Sequence, residues 1–290
     1  MSSEQPSAPS DAAPDTPGAA SPAGVITDPK DPRLAKVREL LKGKNKGSRA
    51  IIIDDEEPLA EALRHGVTVF TVFHGEDTQL PAAVTDLLPA DADVQVVSTY
   101  AAKELFGVER RSRIFALARR PKPLTVAELL EHPGDVAVLD GVKLMGNIGA
   151  VTRSAKALGF AGLILVDSDL ASVTDRRLVR ASRGMVFALP LALATADDVV
   201  AHLSDAGVPL VSLDPEAREP LSGIAGIEGR LALLLGSEKR GASSRLEQAA
   251  ERSVRIDIHP DVESLNVSVS AALAMYERRE ANPLPSPSEG

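Results

Sequence analysis

The sequence predicts an α/β protein in two unequal parts, a small α/β domain followed by a larger one built on a parallel sheet. Three observations predict it. Strand-like runs alternate with helical ones from Ala50 onward, the runs after residue 133 are almost wholly apolar, and PKP at 121–123 breaks the chain between the two series. Continuous apolar strands separated by helices belong to parallel sheets covered on both faces. At 290 residues the chain is long enough for two modest domains.

Residues 1–28 are rich in Pro, Ala, Ser and Gly, lack any apolar period, and are expected to form a disordered tail, as are the proline-rich residues 283–290. In the first domain, 29–120, an amphipathic helix is predicted from Arg33 to Leu41, followed by a flexible basic link, KGKNKGSR. Strand AIIID, helix EEPLAEALRHG, strands VTVFTVFH and VQVVS, helix TYAAKELFG and strand RIFALARR complete it. The second domain, 121–282, begins with strand GDVAVLD, a helix from about Ile148 to Leu158, strand AGLILVD, a helix within TDRRLVRASRG and strand FALPLAL. A helix near 196–206, strands VPLVSL and RLALLLG, a helix from about Ser243, strand VRIDI and a closing helix from about Ser264 follow. Ligands of such sheets bind at the carboxyl ends of the strands.

Composition excludes several functions. With no cysteine there are no disulfides and no thiolate metal sites, and the five histidines show no ligand spacing, so no metal is expected. No apolar run approaches a membrane span, and the N-terminus lacks a basic region followed by an apolar one, so a cytoplasmic protein with no membrane partner is expected. The aromatic content of 3%, with no tryptophan, leaves the core to Ala, Val, Leu and Ile and argues against base-stacking platforms. A net charge of -9 argues against bulk attraction to nucleic acid, yet two stretches are strongly basic. Eight basic residues face two acidic ones between Lys30 and Arg49, and seven face two between Lys103 and Lys122.

Three loops that follow apolar strands are dense in glycine and small polar residues. In LDGVKLMGNIGAVTRSAKALG, Gly141, Gly146 and Gly149 permit close approach of the backbone, and the amides opening the next helix suit a polar ligand or anion. Neither GxGxxG nor GxxxxGK[ST] is present, and taken alone this loop reads as ordinary strand-to-helix punctuation. In LLLGSEKRGASS, a carboxylate near a helix start is commonly a cap. In IDIHPDVESLNVSVSAALAMYE, a helix from Ser264 puts Ser264 and Ser268 on one face and Asn266 and Ser270 on a neighbouring one. Serine and asparagine form helices indifferently, so a terminus dense in them is a cap or a site.

Together the patterns NxGAxxR, LLxGSExxG and SLNVSVSxAxxxYE, in this order and each after a strand, resemble the three motifs of the SpoU branch of the SPOUT RNA methyltransferases. VLDGVKLMGNIGAVTRSAKALG, LVDSDLASVTDRRLVRASRGMVF and RLALLLGSEKRG are also similar to the thiostrepton and nosiheptide resistance methyltransferases of actinomycetes. The resemblance implies a C-terminal SPOUT trefoil-knot domain with a parallel sheet, preceded by a small α/β ribosomal-protein-like RNA-binding domain. It implies S-adenosylmethionine as cofactor, 23S ribosomal RNA as substrate, a homodimer, and methylation of one adenosine 2′-hydroxyl in the loop that binds thiopeptides. A general SpoU enzyme of tRNA or rRNA and a non-catalytic RNA-binding protein are the alternatives.

Carried over by motif, the resemblance places Leu213, Asp214, Gly236, Ser237, Glu238, Ile256, Ile258, Ser264, Leu265 and Asn266 at the cofactor; for Leu213, Ile256 and Ile258, plain core residues at strand ends read equally well. It assigns Arg153 to orient and polarise the 2′-hydroxyl, Asn147 to hold that loop and arginine, and Glu238 to orient a neighbouring donor. Arg183 is expected to cross to a partner's site. Arg110, Arg111, Arg113, Arg119, Arg177 and Arg180, with Arg183, are the expected RNA contacts, and Leu273 to Tyr276 are expected in the knot or at the dimer interface.

Overall fold

The computed structural model describes residues 24–43, 47–107 and 112–279. The first domain carries a four-stranded sheet in the order β1-β4-β2-β3, with β1 at Ala50–Asp54, β2 at Val69–Gly75, β3 at Asp93–Val97 and β4 at Ile114–Arg119. Helices α1 (Ala35–Leu41), α2 (Glu56–Arg64), α3 (Ala82–Thr85) and α4 (Thr99–Phe106) accompany it. A 3-10 turn, Pro32–Leu34, leads into α1 and is capped by Asp31, whose carboxylate accepts from the Arg33 amide at 2.9 Å. Its aromatic core is Phe73 stacked on Phe115 and Phe106 edge-on to Phe115, both at 4.8 Å.

Residues 24–28, expected to belong to a disordered tail, are part of the fold, while residues 1–23 and 283–290 of the expected tails lie outside the described residues. Ile26 is fully buried, its amide donates to the Val96 carbonyl at 2.8 Å, and its carbonyl accepts from Ser98 at 2.9 Å. One isoleucine that seals the open edge of β3 outweighs the polar residues around it, because burying such a side chain is worth about 1.5–3 kcal/mol.

The second domain holds a seven-stranded, all-parallel sheet in the order β7-β6-β5-β10-β8-β11-β9. Strands β5 (Val136–Asp140), β6 (Gly162–Val166), β7 (Leu191–Ala194), β8 (Leu210–Leu213), β9 (Glu219–Pro220), β10 (Ala232–Gly236) and β11 (Arg252–Arg255) alternate with helices. These are α5 (Val126–Leu130), α6 (Met145–Ala157), α7 (Arg176–Ala181), α8 (Ala196–Asp205), α9 (Ser244–Ala249) and α10 (Val267–Arg279). VAVLD and GLILV are buried at every position, as strands covered on both faces must be. The chain winds from β5 out to β7 and then returns, so β10 lies beside β5 and the strand order reverses between them.

Several boundaries differ from those predicted. FALPLAL is a strand only from Leu191, because Met185–Phe187 tightens into a 3-10 turn. Helix α6 starts at Met145, ahead of Ile148. Strand β11 ends at Arg255, so Ile256 and Ile258 lie beyond it. The closing helix starts at Val267 and not at Ser264, because the Asn266 side chain accepts from the Ser268 amide at 2.9 Å and caps it.

At its far end α10 is pinned inside the protein. Arg278 is 1% exposed; its Nε donates to Asp135 at 2.8 Å, and its Nη1 donates to the carbonyls of Ile224 at 3.1 Å and Ile227 at 2.6 Å. No helix among the described residues is long and apolar enough to cross a membrane.

Candidate active site

Parallel strands end on one edge, so the loops after β5, β10 and β11 are brought to the same side of the sheet. They meet in one chain of hydrogen bonds. The Asn147 amide nitrogen donates to Glu238 at 2.7 Å, while its oxygen accepts from the Asn266 amide at 3.2 Å. Asn266 also accepts from the Ser268 hydroxyl at 2.5 Å. One residue from each of the three motifs thus takes part, and Asn147 at the centre uses both ends of its amide.

The second wall is a tight loop closed on itself. Ser237 and Gly241 exchange backbone hydrogen bonds at 3.0 and 2.9 Å, and a Cβ on Gly236 would stand 2.1 Å from the Ala242 nitrogen. Only glycine fits there. Asp140, buried at the end of β5, accepts from the Ser243 amide at 2.6 Å and ties this loop to the first strand. In the sequence only a carboxylate closing an apolar strand marks Asp140.

Gly149 permits the close backbone approach expected of it, and what approaches is another helix. A Cβ there would lie 2.5 Å from the Ala181 carbonyl carbon, so this glycine admits α7 against α6 and not a ligand. Gly146 has open space around it, whereas Gly141 needs its positive φ of 69° at the turn out of β5.

Leu213, Ile256, Ile258 and Leu265 are half-buried, and Gly236 and Ser237 share that depth. Ser264 is exposed. The Asp214 carboxylate accepts from the Glu216 amide at 2.9 Å and shapes the turn after β8. Partly covered apolar side chains beside closely packed backbone are the kind of lining that a cradle for a flat group with a polar edge requires. Among the described residues no His, Asp and Glu cluster could hold a metal ion.

Arg153 is exposed on α6 and makes no hydrogen bond or ion pair with the described residues. It stands six residues after Asn147, about 9 Å along the axis and about 120° round it, so the structure does not bring it into the polar chain.

The expected RNA-facing arginines divide. Arg110 and Arg111 lie outside the described residues. Arg113 and Arg119 are both exposed but flank β4 at opposite ends, about 20 Å apart, so they do not form one compact basic patch. Arg177 is engaged by Asp175 at 3.0 Å, Arg180 by Asp55 at 2.8 Å and Asp54 at 3.6 Å, and Arg183 by Glu57 at 3.4 Å. Burial pushes the Asp54 carboxyl above its ordinary range, while Arg176 and Arg180 pull it back. The first basic stretch is also partly committed, with Arg33 on Asp31 and Arg38 on the carbonyls of Pro29 and Asp31.

Residues 135–276 match the model of the SpoU rRNA methylase family, and residues 23–132 match that of the thiostrepton-resistance methylase N terminus. The chain is 38% identical over 259 residues to a 23S rRNA (adenosine(1067)-2′-O)-methyltransferase of Streptomyces azureus, covering 89% of this chain and 96% of that protein. It is 41% identical over 263 residues to the protein of the same description from Streptomyces laurentii, with the same coverage. The structure of an AdoMet-bound rRNA methyltransferase from Sinorhizobium meliloti superimposes with a TM-score of 0.74 at 24% identity, covering 91% of this chain and 99% of that one.

Proposed function

The chain belongs to the SpoU rRNA methylase family, and from that premise we propose that it methylates the 2′-hydroxyl of one adenosine in the thiopeptide-binding loop of 23S rRNA. The outcome for the cell is resistance to thiopeptide antibiotics of the thiostrepton type, since a methyl on that oxygen removes a hydrogen-bond donor and adds bulk at the drug site. The observation that supports the reading is the hydrogen-bond chain Glu238–Asn147–Asn266–Ser268, which ties all three motifs together.

The cofactor is S-adenosylmethionine, which when bound supplies a methyl activated by a sulfonium. The cradle fits it: Leu213, Ile256, Ile258 and Leu265 would cover the adenosyl group, with Asp214, Gly236, Ser237, Ser264 and Asn266 at its polar edge. Asn147 and Glu238 hold the walls of the pocket in register. Arg153 carries the work on the substrate. A guanidinium stays protonated at any working pH, so it does not take the hydroxyl proton, which passes to a phosphate oxygen of the RNA; Arg153 orients the ribose oxygen and stabilises the negative charge that develops there.

The protein works as a homodimer in the cytoplasm. Val269, Leu273 and Tyr276 recur at helical spacing on α10 and are 48%, 43% and 53% exposed, a stripe that a second copy would cover. Of the segment Leu273 to Tyr276, only Ala274 and Met275 are buried within the chain. Arg183, 61% exposed at its side chain, is the residue to reach the partner's site. Domain 29–120, extended by Ile26, grips the RNA through Arg113 and Arg119, and domain 121–282 carries the transfer. The Asp54 and Asp55 carboxylates hold Arg180 to the protein itself, while Arg177, 61% exposed like Arg183, is a weaker phosphate contact.

The test incubates the protein with labelled S-adenosylmethionine and an rRNA hairpin, then hydrolyses with alkali. One resistant dinucleotide carrying the label is expected. Label in mononucleotides only would assign base methylation, and label in tRNA but not in the hairpin would assign the general SpoU activity. Arg153→Ala should abolish transfer while S-adenosylmethionine and RNA still bind; near-native activity in that variant would remove Arg153 from the mechanism.

A further inference from the structure

We propose that Asp54 is a positioning residue for methyl transfer: held by Arg176 and Arg180, it fixes the N-terminal domain in one orientation on the methyltransferase domain. The proposal rests on the function above for its effect on transfer, but not for its effect on domain orientation.

Asp54 closes β1, the strand at the edge of the first sheet, and is fully buried. Its Oδ2 lies 3.0 Å from Arg176 Nη1 and 3.6 Å from Arg180 Nη1, while Arg180 Nε reaches Asp55 at 2.8 Å. These arginines stand 122 and 126 residues away, in the other domain. Spaced four apart on the short helix α7, they share one face. The Arg176 guanidinium also lies over the Phe106 ring, 5.6 Å from its centroid, so the same side chain binds a second element of the first domain.

Backbone packing shapes the joint as well. Gly184 adopts a φ of 83°, and a Cβ on it would stand 2.7 Å from the Pro58 Cα and 2.8 Å from the Glu61 Cβ, so α2 sits directly on the turn after α7. On its other side α7 touches α6 through Ala181 and Gly149. Helix α7 is therefore clasped between the domain assigned to the RNA and the helix that carries Asn147 and Arg153.

The Asp54 carboxylate is poorly explained as a device for stability. Its Oδ1 has no hydrogen-bond partner among the described residues, so the compensation for burying it comes from arginines of the other domain. A buried ion pair seldom outperforms well-packed apolar groups, and its best-attested use is to fix register. Here the register is that of one domain on another. It bears on transfer because a misplacement of about 1 Å costs about a hundredfold in rate.

The absence of cysteine makes orientation measurable. Spin labels at Asp91→Cys and Asp205→Cys, both exposed and one in each domain, report the distance between domains in the full chain. In Asp54→Asn the distance distribution should broaden, S-adenosylmethionine affinity should stay within about twofold, and transfer at saturating RNA should fall about tenfold or more. Arg176→Lys, which keeps the charge, should retain a narrower distribution and more activity than Arg176→Met. If Asp54→Asn does not fold, Arg176→Met with Arg180→Met gives the same readings. A distribution as narrow as that of the parent in these variants overturns the proposal whatever the substrate proves to be. A broadened distribution with undiminished transfer overturns the link to catalysis. If the parent itself transfers nothing to the hairpin, the function above fails while the distance measurement still decides the clamp.

Discussion

Arg278→Ala should be among the most damaging single changes outside the active site. The arginine is 1% exposed and Asp135 is 5% exposed, and they meet at 2.8 Å. Removing the guanidinium leaves the Asp135 carboxylate buried without its counter-charge, though it still accepts from the Leu231 amide at 2.7 Å, and it strips the Ile224, Ile227 and Gly229 carbonyls of their donor. Breaking one side of a buried pair costs about 3–5 kcal/mol, a large part of the 5–15 kcal/mol that holds a typical domain together. At about 2–4 °C per kcal/mol for a protein of this size, Tm should fall by about 10 °C. Calorimetry and urea denaturation would measure it, with Arg245→Ala as the control. Arg245 meets Asp197 at a shorter 2.6 Å, but with side chains 51% and 82% exposed, and should cost less than about 1 kcal/mol. Equal, small losses in both variants would refute the argument that burial and not distance sets the cost. The S-adenosylmethionine affinity of Arg278→Ala should fall too, since α10 carries Asn266 at its other end.

Asn147→Ala separates Glu238 from Asn266 and should weaken S-adenosylmethionine binding by about 1 kcal/mol, or about fivefold, by calorimetry. Gly149→Val forces α7 off α6 and should cost about 1–3 kcal/mol, whereas Gly146→Ala, with nothing within 4 Å, should be neutral or stabilising in thermal melts. The Glu128 carboxyl should titrate at about 2 by NMR, held down by Lys122 and by the Thr125 backbone and hydroxyl, and Lys122→Met should move it back towards 4.5. Because that value is depressed in the folded state, its contribution to stability is present above 4.5 and is lost as pH falls towards 2.

The apolar runs of the second sheet were legible because a strand covered on both faces writes its burial directly into the chain. The loops were legible for a related reason: close backbone packing and capping demand glycine, serine and asparagine at set places. Partners distant in sequence left no such trace. Arg278 in MYERRE looks like a terminal surface charge until Asp135, 143 residues earlier, is placed beside it. Arg180 reads as a phosphate contact for want of any sign of Asp54 and Asp55, and Ile26 sits in a segment whose other residues all suggest disorder. The sequence puts the start of α10 three residues early because Ser264 and Asn266 fit a helical period that the Asn266 cap in fact begins.

Strand β5 connects these observations. Asp135, just before it, holds the far end of α10, and Asp140, its last residue, holds the loop that presents Gly236 to Glu238. The two carboxylates lie about 17 Å apart at opposite ends of one fully buried strand. The third wall, with Asn147, continues from the same strand. The relative positions of all three walls are thus referred to a single rigid element at the point where the strand order reverses. The two anchors are not equivalent, however. Asp135 has a full guanidinium to neutralise it and organises the closing helix, so its loss threatens the fold; Asp140 accepts a backbone amide of one loop, so its loss should loosen one wall of the cradle and leave the sheet standing.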